Sequence, residues 1–107
     1  MKIQIGKGTL DIDEKIINLT GNKVISISIV SVQGACTDNM CPLIKKTVCT
    51  IVDNYILKNS FKAEYPVKIE IADDVYYSID KERQNVKLKS SFNKKIEVKG
   101  LSLVSAV

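Results

Sequence analysis

The sequence predicts an α+β fold: a short N-terminal helix packed on a mostly antiparallel β-structure. Two observations carry this expectation. Asp11, with Glu14 three residues on, makes a capping-box pattern that opens a run of helical period closed by Gly21. From Val67 onward, apolar residues alternate with polar ones in successive short runs divided by polar turns, the period of half-buried strands. The 107 residues, 45% hydrophobic and 26% charged, read as one ordinary globular domain spanning 1–107.

Each element follows from its own pattern. Ile3 and Ile5, alternating with Lys2 and Gln4, predict a short opening strand. In the helix, Ile12, Ile16 and Leu19 fall on one face, which a helix this short must lay on a sheet. Lys23 to Val32 predicts a strand with Ile25, Ile27 and Ile29 on one face. Its apolar phase changes at Ile29-Val30, which predicts a bulge or burial on both faces. Residues 43 to 57 fit two templates. Ile44, Val48, Ile51 and Tyr55 have helical spacing, whereas the β-branched run Thr47 to Val52 favours a strand.

The remaining runs predict four strands. Val67, Ile69 and Ile71 form the first, before Asp73-Asp74 as a turn. Val75, Tyr77 and Ile79 form the second, Val86 and Leu88 the third, and Ile96 and Val98 the fourth. Gly100 then shifts the phase so that Leu101 and Leu103 face one way. No linker, low-complexity stretch or internal repeat is visible.

Composition removes several function classes. Nothing at the N-terminus has the apolar length of a signal peptide, and the run Val24 to Val32 is too short to span a bilayer. A soluble cytoplasmic protein without a membrane partner is therefore expected. Three cysteines in such a compartment read as free or ligating thiols. There is no histidine, which removes Cys-His and Ser-His nucleophiles and imidazole ligands. The net charge of +4 comes almost wholly from lysine, Arg83 being the single arginine. Nucleic-acid readers exploit arginine, so a nucleic-acid partner is not expected.

The order of elements, with Cys36 after the first long strand and then Asp73-Asp74-Val75-Tyr76-Tyr77-Ser78-Ile79-Asp80, resembles the HesB-like fold of A-type iron–sulfur carriers. It is more similar to the small HesB-like CC/Se-motif (seleno)proteins. Their aspartate-led VY strand, next strand, phenylalanine loop and EVKGL-type ending are matched by Val75-Tyr76-Tyr77, Val86-Lys87-Leu88, Phe92 and Glu97-Val98-Lys99-Gly100-Leu101. The resemblance implies a HesB-like domain in which Cys36 takes the place of a cluster ligand. This chain lacks the C-terminal Cys-x-Cys of the carriers, and its Cys36 and Cys41 are not adjacent.

Chemistry concentrates in Gly34-Ala35-Cys36-Thr37-Asp38-Asn39-Met40-Cys41-Pro42. Cys36 and Cys41 stand close enough along the chain for a disulfide, and thiolates are the soft ligands of an iron–sulfur cluster or a thiophilic metal ion. Asp38 offers an oxygen ligand, and Cys49 a third thiolate or a small buried apolar residue. Three cysteines cannot close an all-thiolate tetrahedral site, so Asp38, solvent or a second subunit would complete it. Lys87, Lys89, Lys94, Lys95 and Lys99 form a basic face read as the solvated side of strands. Asp73-Asp74 reads as a turn, and Gly6-Lys7-Gly8 lacks the rest of a phosphate loop.

No catalytic constellation is present. Two functional readings follow. One is a thiol protein that binds metal or an iron–sulfur species, or exchanges thiols, through Cys36 and Cys41. The other is a non-enzymatic interaction or assembly module, with idle cysteines, that pairs its strand edges with a protein partner or a second copy.

Overall fold

Alternation at the N-terminus produces β1 (Lys2–Ile5), which turns back into β2 (Gly8–Ile12) with Ile5 opposite Gly8. The computed structural model describes residues 1–33, 43–64, 67–91 and 95–103. The two-residue turn Gly6-Lys7 puts glycine first, with φ +58°, as tight hairpins of this kind favour.

The first helix, α1 (Glu14–Thr20), starts later than the capping box predicts. Asp13 is its N-cap, accepting from the Lys15 N–H at 3.3 Å, and Gly21 ends it. Ile12 stays in β2, fully buried, because it continues the strand alternation of Leu10, pairs with Leu88 on one edge and exchanges backbone hydrogen bonds with Met1 on the other. Ile16 and Thr20 face the core, and Leu19 is 48% exposed.

The long strand is β3 (Val24–Gln33), and the ambiguous segment becomes β4 (Leu43–Val52). Their antiparallel register runs unbroken from Val24↔Val52 to Gln33↔Leu43. The phase change at Ile29-Val30 is therefore neither a bulge nor two-sided burial; Val30 is 39% exposed. Next come β5 (Ser60–Ala63) and β6 (Lys68–Ala72), then α2 (Asp73–Lys81), β7 (Asn85–Ser90) and β8 (Ile96–Lys99).

The expected fold class is corrected on two counts. Asp73-Asp74 is not a turn, and Val75 to Ile79 is not a strand. These residues form α2, where Val75, Ser78 and Ile79 are buried. Val75 and Ile79 lie four apart, which satisfies the helical as well as the strand period. The two aspartates then sit in the first turn and Lys81 in the last, favourably placed in the helix dipole. The segment that carries much of the HesB-like resemblance is thus helical.

The sheet, second, is mixed. Its eight strands run β1-β2-β7-β8-β4-β3-β6-β5, with β2/β7 and β3/β6 parallel. Instead of one helix on an antiparallel sheet, the described residues form a mostly β structure with two helices. α2 touches β1 and β2 toward one end of this order and β3, β5 and β6 toward the other, so the sheet curls around it.

The chain contains the same unit twice. β1-β2-α1-β3-β4 and β5-β6-α2-β7-β8 are both hairpin, helix, hairpin. The second strand of each unit pairs in parallel with the strand after the other unit's helix. Leu10↔Val86 and Ile12↔Leu88 in one interlock correspond to Ile69↔Ile25 and Ile71↔Ile27 in the other. These eight side chains are all buried and form the centre of the core.

Candidate functional site

A strand inside a sheet needs backbone partners on both edges. β4 has ten residues paired to β3 on one edge. On its other edge, among the described residues, one register pair joins it to β8: Cys49↔Ile96. Val48 and Glu97, Thr47 and Val98, and Lys46 and Lys99 come next in that register and do not pair. β8 meanwhile pairs along its whole length with β7. The two strands therefore part beyond the bridge and leave open edges facing one another.

A cleft of about 840 Å³ occupies this seam. Its lining follows the strand alternation. Thr47, Cys49 and Ile51 share the core-side face of β4, as Ile96 and Val98 do on β8. Lys46, Lys95 and Lys99 stand on the outer side. A second cavity of about 390 Å³ touches Lys45, Lys46, Val98, Leu101 and Leu103. Glu97 is the single acid among the described residues of the two linings, and it lies 3.6 Å from Lys99. Lys87 and Lys89, the register partners of Lys99 and Glu97, widen the basic face across β7.

Of the sequence-predicted thiols, one lies among the described residues. Cys36, Asp38 and Cys41 lie outside the described residues, as do Phe92 and Lys94. Residues 34–42 fall between Gln33 and Leu43, the last described pair of β3 and β4. Cys49 lies six residues along β4 from Leu43, about 20 Å at the rise of a strand. It is 7% exposed within the core, and burial pushes its thiol up to about 12, so it stays protonated and a poor ligand. Among the described residues, no group of three or more Cys, Asp or Glu is placed to hold a metal ion. No described helix is long and apolar enough to cross a membrane.

The other predicted features have structural roles. Asp73 and Asp74 open α2. The Gly6-Lys7 turn docks on α2: the Lys7 N–H donates to Asp80 Oδ1 at 2.7 Å. Two buried polar groups escaped the sequence reading. Glu70 is fully buried and accepts from the Ile56 N–H at 3.0 and 3.2 Å and from the Leu57 N–H at 3.0 Å. Ser26, its register partner on β3, has a buried hydroxyl with no hydrogen-bond partner among the described residues. Lys46 was also missed, because its place beside the lysines of β8 depends on pairing far along the chain.

With known proteins as the comparison, no family model, curated protein or solved structure matches this chain.

Proposed function

We propose that this protein is a non-enzymatic interaction module that receives a partner segment in the β4–β8 seam. One observation carries the reading: two strands with intact outer pairing share, among the described residues, a single register pair and leave a cleft of about 840 Å³. Open strand edges are the natural template for an added strand. The cleft also falls within the size range of ligand sites, roughly 300–1,000 Å³. Selection from a random peptide library tests the reading, followed by amide exchange on each complex. Binders that slow exchange at residues 46–51 and 96–99 support it. A library that returns no binder, or binders that protect other surfaces only, removes it.

A second reading rests on the β3–β4 hairpin. Gln33 and Leu43 are paired and bracket the loop that carries Cys36, Asp38 and Cys41. This bracketing supports a thiol role: binding a thiophilic ion or iron–sulfur species, or exchanging with a partner thiol, as the HesB-like resemblance implies. Anaerobic purification with metal analysis and thiol titration tests it against a Cys36→Ser, Cys41→Ser variant. Metal retained by the native protein and lost in the variant supports ligation. A metal-free protein whose loop thiols titrate as ordinary cysteines sets it aside.

A further inference from the structure

Resting on the interaction reading above, we infer that the seam takes an extended acidic peptide, one that alternates apolar and carboxylate side chains. A strand laid along β4 turns alternate side chains to opposite faces. On the core side it meets Thr47 and Val98, with Ile96 closing the open edge at the bridge and Ile51 beyond it, a mostly apolar lining. On the outer side it meets Lys46, Lys95 and Lys99, with Glu97 the single opposing acid among the described residues. Lys45, which lines the neighbouring cavity with Lys46, extends the positive charge beyond the cleft. Lys45, Lys46 and Lys95 make no ion pair among the described residues, which leaves them available for carboxylates.

The alternatives fit less well. A nucleic acid offers no backbone amides to the open edges, and among the described residues the seam provides neither arginine nor aromatic side chains for bases. A second copy of this chain would bring the same lysines against these.

The experiment uses the full chain and three peptides of about eight residues that alternate valine with glutamate, with lysine or with threonine. Affinity is read by fluorescence polarisation at about 0.15 M salt, and location by amide exchange. The valine–glutamate peptide binds at residues 46–51 and 96–99, about tenfold or more tighter than the other two. A Lys46→Glu, Lys99→Glu variant, checked for native circular dichroism, reverses the preference toward the lysine peptide. Should this variant not fold, Lys46→Gln alone is read for a smaller loss in the same direction.

Equal binding of all three peptides at the seam overturns the acidic assignment and leaves the interaction reading standing. So does tighter binding of the threonine or lysine peptide. If no peptide protects the seam, both fall. A single-stranded oligonucleotide that binds there while the acidic peptide does not also overturns the assignment.

Discussion

Cys49 of β4 and Ile96 of β8 are, among the described residues, the one register pair that joins the two halves of the sheet. Cys49 is held there as a packing residue: it is buried beside Ile27, its partner on β3, and reaches no described ligand. The closing contact of the sheet is thus a small, soft side chain against a half-buried isoleucine, and toward Lys46 and Lys99 the register is not continued.

The burial of Cys49 makes its chemistry testable. In a Cys36→Ser, Cys41→Ser background it is the single thiol. It should react with a disulfide reagent at about pH 8 far more slowly in the native protein than in denaturant. The sign of the pH effect follows from the raised value. Above the ordinary 9.0 the unfolded chain gives up this proton, while the folded protein holds it to about 12. Stability from Cys49 is complete below about pH 9 and declines as pH rises toward 12, by up to about 1.4 kcal/mol per pH unit. Urea unfolding between about pH 8 and 11 should show a shallower decline for Cys49→Ala than for the parent. Equal slopes would show that the thiol is solvated.

Glu70 fastens the segment after β4 to the sheet. Its carboxylate is buried and satisfied by the amides of Ile56 and Leu57. Glu70→Ala removes these bonds and strands two donors, at a cost of about 3 kcal/mol. Glu70→Gln keeps one acceptor and should cost about half as much. Ser26→Ala is expected to be neutral or stabilising by about 1 kcal/mol, since the buried hydroxyl it removes has no described partner. Denaturant midpoints measure all three. An Ala variant at 70 as stable as the parent would mean the segment is held by other contacts.

Much of the fold was legible where one period acted alone. The alternations at Ile3-Ile5, Val86-Leu88 and Ile96-Val98 became strands because they satisfy no helical template. Val75 to Ile79 satisfied both periods, and packing against the curled sheet decided for the helix. β5 was not foreseen, since Ser60 to Ala63 shows little alternation and owes its pairing to β6. The repeated unit was invisible for a similar reason. Only the register-matched core positions are shared, such as Leu10 with Ile69 and Ile12 with Ile71, and apolar alternation recurs everywhere in such a chain. The candidate seam was half legible: the lysines of β7 and β8 were evident, but Lys46 joins them through a contact no local pattern encodes.

Gly8 has no room for a side chain. A Cβ there would lie 2.5 Å from the carbonyl oxygens of Ile79 and Gln84, both backbone atoms that cannot swing aside. Gly8→Ala must push the β1–β2 hairpin away from the end of α2, which also weakens the Lys7 to Asp80 bond. A loss of about 2 kcal/mol or more is expected from thermal or urea unfolding. Wild-type stability in this variant would contradict the close approach.

The interleaving of the two units makes the strongest prediction about folding. Neither unit holds a parallel strand pair of its own: β2 depends on β7, and β6 on β3. Cutting the chain near Asn54, between β4 and β5, leaves both units whole in sequence but removes the partner of each central strand. Leu10, Ile12, Ile25 and Ile27 in one fragment, and Ile69, Ile71, Val86 and Leu88 in the other, would then be exposed. Each loses about 1.5–3 kcal/mol of burial, more than a small domain's whole net stability when summed. Separately, the fragments should show no cooperative unfolding transition. Mixed in equal amounts, they should regain one, with the far-ultraviolet spectrum of the intact protein. A fragment that unfolds cooperatively as a monomer would show that one unit builds a core unaided. A fragment that does so only as a dimer would show that a second copy can replace the missing unit, as the repeated register allows.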